Sequence, residues 1–249
     1  MKGVILAGGS GTRMRPATAV MNKHLLPVYS WQGANPMIFY PISTLVKGGA
    51  KDILIISSKE HSGSIIQNLG DGFQFGARFS YKIQDVNRVE MGIASALKLA
   101  QDFTCEEPFA VILGDNFFED DFSKEFEEFC LGSGQEAKIF IKAVNDPERF
   151  GVYHDGSIEE KPKRPKSNMA VTGLYLYKRG VYEIADNLVP SKRGELEVTD
   201  INQNYCERGL MGLAHVEGFW SDMGTPASMC RTQEFINSTG HTVLAPPSK

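Results

Sequence analysis

KGVILAGGSGTRMRP, residues 2–16, decides how the rest of the chain is read. After its lysine, Lys2–Ala7 is apolar without the alternation of a half-exposed strand, and it stops at Gly8-Gly9-Ser10-Gly11. Such a run, bounded by glycines, reads as a strand buried on both faces of a parallel sheet and feeding a phosphate-facing loop. Glycines let backbone N–H groups approach phosphate oxygens, and Arg13 adds a mobile positive charge. Spacing disfavours two alternatives. No GxxxxGK[ST] loop is present, and no GxGxxG opens a helix, because Pro16 breaks one soon after Arg13.

Working outward, Pro36–Val46 carries apolar residues at helical spacing and ends at Gly48-Gly49, which predicts a helix with a glycine terminus. Asp52–Ser57 and Phe109–Leu113 read as further buried strands, Arg78–Gln84 as an alternating one, and Met91–Phe103 as a helix. Strands alternating with helices predict an α/β fold, a Rossmann-like doubly wound, mainly parallel sheet. Beyond residue 120 the pattern loosens. Lys138–Val144, Gly151–His154, Val171–Tyr177 and Leu210–Val216 read as strands, and Arg179–Leu188, Thr199–Arg208 and Pro226–Ser238 as helices. This predicts a mixed α+β extension of the same sheet within one domain, residues 1–249. Residues 1–120 and 121–240 are expected as its two halves, and 241–249 as a disordered tail.

The 249 residues are 42% apolar, enough for one substantial core. Lys plus Arg number 26 against 30 acids, a formal charge of -4, and nucleic-acid binders show a basic surplus instead. No run of eighteen apolar residues and no secretory leader are visible, so a cytoplasmic protein with no membrane partner is expected. Cys105, Cys130, Cys206 and Cys230 are too scattered for a zinc site and are expected to be buried free thiols.

The motif G-x-G-T-R-x-x-P is followed by Asn22-Lys23-His24-Leu25-Leu26-Pro27. Later come Leu113-Gly114-Asp115-Asn116, Asp146-Pro147-Glu148-Arg149-Phe150-Gly151, Glu159-Glu160-Lys161-Pro162, Val171-Thr172-Gly173-Leu174-Tyr175, Arg193-Gly194-Glu195 and Trp220-Ser221-Asp222-Met223-Gly224. In this order the blocks resemble the sugar-nucleotide pyrophosphorylases over nearly the whole chain, most closely the glucose-1-phosphate thymidylyltransferases.

The resemblance implies transfer of a nucleotidyl group from dTTP to glucose 1-phosphate, with Mg²⁺ as cofactor and pyrophosphate as leaving group. It implies that Asp115 and Asp222 hold the metal and that Arg13 and Lys23 grip the triphosphate. Lys161 is implied to contact the phosphate of the sugar 1-phosphate. Gly8, Gly9, Gly11, Thr12, Gln84 and Gly92 are implied at the nucleotide, with the Gln84 amide suited to the edge of thymine or uracil. Gly151, Glu160, Val171, Tyr175 and Arg193 are implied around the sugar, which makes 1–120 the nucleotide-binding half and 121–240 the sugar-phosphate-binding half. A homo-oligomer is the family's habit. Asp at the end of a buried strand is disfavoured as core, and ligands gather at such ends, so the residues themselves point the same way for Asp115. A sugar 1-phosphate is a dianion at neutral pH and needs no residue to deprotonate it. That fits a signature of Arg, Lys, Asp and Gly without a Ser-His-Asp triad.

The chain departs from the family at Ser30–Asn35, at Asp85–Met91, at Ser95 and at Met223, which stands in place of a Thr. The second segment faces the base in the family, which leaves dTTP and UTP both open. The chain resembles the short form that lacks the C-terminal helices of a secondary regulatory site, so feedback at a second site is expected to be reduced or absent. Two other classes compete. A non-catalytic sugar-nucleotide sensor would be expected to lose Arg13, Lys23, Asp115 or Asp222, and all four are present. A nicotinamide dehydrogenase is disfavoured by the proline-broken loop.

Overall fold

The structure is a computed structural model that describes residues 1–9, 11–85, 92–132, 134–192 and 194–243. The chain opens with strand β1 (Lys2–Ala7), then forms a hairpin of β2 (Pro27–Ser30) and β3 (Gly33–Pro36). Helix α1 (Phe39–Lys47), strand β4 (Asp52–Ser58), helix α2 (Ser62–Leu69) and strand β5 (Arg78–Gln84) follow. Helices α3 (Ile93–Lys98) and α4 (Gln101–Thr104) lead into β6 (Phe109–Leu113). The second half contains β7 (Phe117–Phe118), α5 (Ser123–Leu131), β8 (Ala137–Ala143), β9 (Gly151–His154), β10 (Ser157–Glu160) and β11 (Met169–Tyr177). It closes with α6 (Val181–Asp186), α7 (Val198–Glu207), β12 (Met211–His215), β13 (Trp220–Ser221) and α8 (Pro226–Thr239).

One nine-stranded sheet runs β10-β9-β11-β6-β1-β4-β5, with β8 joined to β11 and β12 to β8. β6, β1, β4 and β5 are mutually parallel. The run that looked continuously apolar is buried on both faces. Val4 and Leu6 pack on one side with Leu54, Ile56 and Val111, while Ile5 and Ala7 pack on the other with Ile53, Ile55 and Ile112. Each Val, Leu and Ile among them contributes about 1.5–3 kcal/mol by leaving water, which is why this strand sits at the centre. Helices α3, α6 and α7 cover the first face, and α1, α2 and α5 the second.

β11 is the hinge of the architecture. Its end, Leu174–Tyr177, pairs antiparallel with β6, while its start meets β9 through Ala170 and Val152. Along β8 its register is interrupted between Val171 and Tyr175. The sheet therefore forks where β11 passes from one neighbour to the other. A third apolar cluster lies outside the sheet and includes Met14, Leu26, Val28, Met37, Phe117, Met223, Ile236 and Val243. α8 closes it: Thr225 and Ser228 form a reciprocal capping box at its start, and Gly240 (φ 67°) ends it in the left-handed conformation.

Several expectations are corrected. The helix expected over Pro36–Val46 begins at Phe39, because residues 33–36 are taken up by the hairpin. The helix expected over Met91–Phe103 is two short helices broken at Leu99-Ala100. Cys105, Cys130 and Cys230 are exposed and Cys206 half-buried, so the thiols are not core residues. In the expected disordered tail, Val243 is buried and the His241 ring packs on Phe117 at 5.0 Å, while residues 244–249 lie outside the described residues. Among the described residues, no helix is long and apolar enough to cross a membrane.

Candidate active site

The parallel strands β1, β5 and β6 deliver Gly8, Gln84 and Gly114-Asp115 at their carboxyl ends, where open α/β sheets bind ligands. Gly8 has Gln84 for a neighbour: a methyl at Gly8 would stand 3.3 Å from Gln84 Oε1. Gly9 (φ 99°) and Gly11 (φ 60°) hold left-handed conformations that favour glycine. The Thr18 hydroxyl donates to the Gly11 carbonyl at 2.7 Å, tying the loop back on itself. Thr12 and Arg13, on the short turn that follows, are exposed. Ser10 lies outside the described residues.

The turn Lys23–Leu25 is capped by Asn22, whose Oδ1 accepts from the His24 backbone N–H at 2.8 Å. This cap aims Lys23 at the end of β6, where its ammonium pairs with Asp115 Oδ2. The other carboxylate oxygen, Oδ1, accepts from Asn116 Nδ2 at 2.9 Å. Burial alone would push the Asp115 carboxyl up. The charges of Lys23 and His24 and the hydrogen bonds from Lys23 and Asn116 outweigh burial and hold it below the usual carboxylate range. His24 is buried, and burial lowers its pKa to about 4 against the opposing pull of Asp115. At neutral pH it is an uncharged imidazole.

Asp222 arrives from far along the chain. β13 pairs antiparallel with β7, setting Trp220 opposite Phe118 and Ser221 opposite Phe117. Asp222 follows Ser221 at the same end of this ladder at which Asp115 and Asn116 precede Phe117. Asp222 Oδ2 accepts from Arg149 Nη2 at 2.6 Å, and Arg149 Nη1 donates to Asp146 Oδ2 at 2.7 Å. A methyl at Gly224 would lie 2.9 Å from Asp222 Oδ2 and 3.3 Å from Arg13 Nη2, so both side chains converge on that glycine. Met223, between them, is buried and carries a left-handed φ of 35°, a conformation costly for a side chain with a Cβ.

These donors suit a hard cation of the Mg²⁺ kind. Among the described residues no group of three or more His, Cys, Asp and Glu comes together. Mg²⁺ held by one or two carboxylates shares its remaining positions with substrate phosphates and water.

The residues expected around the sugar come from β9, β10, β11 and α7. Thr199 Oγ1 donates to Glu160 Oε2 at 2.6 Å, and Lys161 Nζ pairs with Glu160 Oε1 at 3.1 Å. Gly151 borders the same carboxylate, since a methyl there would stand 3.2 Å from Thr199 Oγ1 and 3.6 Å from Glu160 Oε2. Lys161 also has a left-handed φ, 44°, fixed by its N–H donating to the Phe150 carbonyl at 2.9 Å. Val171 and Tyr175 are buried on β11. The Tyr175 phenol is pushed up, first by burial and then by the charges of Glu160 and Asp115, so it feels both ends of the site. Asp200 is raised by burial and by Glu197 and Glu160.

Gly92 links the halves: its φ is 118°, and a methyl there would lie 2.3 Å from the Leu196 carbonyl oxygen. Arg193, and the 86–91 part of the segment expected to face the base, lie outside the described residues. Three neighbours of the expected residues had no role assigned from sequence: Arg149 on Asp222, Thr199 on Glu160 and Asn116 on Asp115. Arg149 and Asn116 stood inside quoted motifs, which was their available signal.

Comparison with known proteins follows the same lines. Residues 2–239 match the nucleotidyl transferase family. A glucose-1-phosphate thymidylyltransferase of Neisseria meningitidis is 41% identical over 247 residues, covering 96% of this chain and 83% of that protein. A solved Bacillus anthracis structure, provisionally named glucose-1-phosphate thymidylyltransferase and bound to sucrose, superposes with a TM-score of 0.86. It is 46% identical and covers 94% of each chain. A UDP-glucose pyrophosphorylase bound to UDP-glucose shares the fold at a TM-score of 0.80 and 21% identity, covering 96% of this chain and 99% of the other.

Proposed function

The chain belongs to the nucleotidyl transferase family, and on that premise we propose that it transfers a thymidylyl group from dTTP to glucose 1-phosphate, releasing pyrophosphate. The observation that carries the reading is the pair Asp115 and Asp222. They come from segments more than a hundred residues apart, lie just past the Phe117–Ser221 end of the β7–β13 ladder, and are each matched with a cation.

The nucleophile is a phosphate oxygen. The second pKa of a phosphomonoester is about 6, so at neutral pH it needs no general base. The neutral, buried His24 is consistent with that, since it has neither the exposure nor the basicity for the task. What remains is to bring two polyanions together. Arg13 and Lys23 hold the triphosphate, Lys23 turning from Asp115 toward phosphate oxygens. Lys161 holds the sugar's phosphate in line with the α-phosphorus, and Glu160 accepts from sugar hydroxyls. Gly151 and Val171 offer main-chain groups to the ring. Gln84 presents its amide to the base edge. Asp115 and Asp222 would hold Mg²⁺, which would supply neutralisation of phosphate charge. Direct attack of this kind inverts the α-phosphorus and leaves no covalent enzyme intermediate.

The test is a panel of triphosphates crossed with sugar 1-phosphates, followed by pyrophosphate release. dTTP with glucose 1-phosphate should give the highest kcat/KM. A UTP reaction tenfold better would overturn the base assignment. Silence across the panel would overturn the enzyme itself and favour a sugar-nucleotide sensor.

A further inference from the structure

We propose that Asn116 is the positioning residue that fixes the Asp115 carboxylate, and that it does so by plugging the fork in the sheet. Where β11 passes from β9 to β6 its register along β8 is interrupted, and Gly173 lies inside that interruption. A buried backbone N–H without a partner costs about as much as a lost hydrogen bond, so the gap must be filled. Asn116 fills it: its Oδ1 accepts from the Gly173 N–H at 3.1 Å. The same oxygen accepts from Trp220 Nε1 at 2.8 Å, across the β7–β13 ladder.

Both partners are pure donors, so the carboxamide has one permitted orientation. Its Nδ2 must then face Asp115, and it donates to Oδ1 at 2.9 Å. With Oδ1 held by Asn116, the other oxygen, Oδ2, is presented to Lys23. Asn116 is 1% exposed, so no water competes for this arrangement. The absence of a side chain at 173 is part of the device, because a methyl there would stand 2.6–2.7 Å from the Asn116 carboxamide. Three separate elements, β11, β13 and the segment after β6, are thus read by one side chain and translated into the direction of one carboxylate.

The inference rests on Asp115 being a metal ligand, as proposed above. The experiment compares Asn116→Ala, Trp220→Phe and Asp115→Asn with the parent chain. It measures kcat, KM for each substrate, the thermal midpoint, and Mn²⁺ binding by electron paramagnetic resonance with α,β-methylene-dTTP present. Outer residues that orient metal ligands typically carry about 10–100-fold in affinity or activity. Asn116→Ala should therefore weaken Mn²⁺ binding and lower kcat by about tenfold or more. KM for glucose 1-phosphate should stay within about twofold, which is the split a general loss of packing would not give.

Should Asn116→Ala fail to fold, Trp220→Phe removes only one of the two donors, keeps an aromatic side chain, and should move Mn²⁺ binding and kcat in the same direction by less. Mn²⁺ affinity and kcat equal to the parent in the folded variants would overturn the positioning role. Asp115→Asn with undiminished Mn²⁺ binding would overturn the metal assignment instead, whatever happens at 116.

Discussion

The proposed phosphate side and the proposed sugar side of the site arrange charge differently. Around Asp115 and Asp222 every acid is met by a base, Lys23 for one and Arg149 for the other, with Arg13 close to Gly224. Around Glu160 the acids gather: Glu197 and Asp200 stand near enough that Asp200 is raised by both. Lys161 pairs with Glu160 there. The contrast follows from what each side must hold. A triphosphate brings negative charge and needs fixed cations and a metal, whereas a sugar ring brings hydroxyl donors and needs acceptors. The two sides meet at β11, where Tyr175 is influenced by Glu160 and Asp115 together.

The strongest way to break this comparison is at the phosphate side. Asp115→Asn should lower kcat by about a thousandfold, the scale of losing a fixed electrostatic group in a reaction site. A pyrophosphate-release assay on a variant with unchanged circular dichroism checks it, and a loss under tenfold would mean the two sides are not electrically distinct.

Next in size is a pH effect from the same side. His24 titrates near 4 in the folded chain against 6.5 when free, so between those values the unfolded state binds more protons. Stability should therefore fall by about 3 kcal/mol as pH drops from 6.5 to 4. His24→Gln should flatten that slope in urea titrations at pH 7 and 4.5, and an unaltered slope would assign the effect elsewhere.

At the seam between the sides, Gly173→Ala should cost about 1–3 kcal/mol through overpacking against Asn116, read as a lowered thermal midpoint. The mildest expected effect sharpens the comparison most. Glu160→Gln should raise KM for glucose 1-phosphate about tenfold, the worth of one charged hydrogen bond, and leave KM for dTTP within about twofold. A shift in both constants would join the two sides into one.

How much of this was legible depends on where the interactions run. β1, β5 and β6 were readable to the residue because apolar or alternating runs ended at glycines, at Asp85 or at a proline-bounded turn. α2 and α5 escaped because each buries only two side chains, Ile65 and Leu69 in one, Phe126 and Phe129 in the other, too few to give a period. The β2–β3 hairpin was hidden by prolines at both ends. β10, which carries Glu160, did have a signal. Asp155-Gly156 has left-handed φ at both positions, the requirement of a tight hairpin turn, and that dipeptide went unread. In the site, the glycine loop and the strand-end Asp115 were visible as local chemistry. The pairings Lys23–Asp115 and Arg149–Asp222 span 92 and 73 residues, and no local pattern encodes them. The likeness to a known family placed Lys23, Asp115 and Asp222 in one site in advance, but it gave neither pairing and left Arg149 without a role.

The third apolar cluster has a consequence for how the site moves. Met14 follows Arg13, Leu26 lies just past Lys23, Phe117 just past Asp115, and Met223 follows Asp222; all four are anchored in that cluster under α8. Each working segment is thus moored by a neighbour to one common keel. An excursion that frees one mooring uncovers the other three, so breathing here is collective and not piecemeal. A nucleotide that steadies a single segment would quiet the rest without touching them.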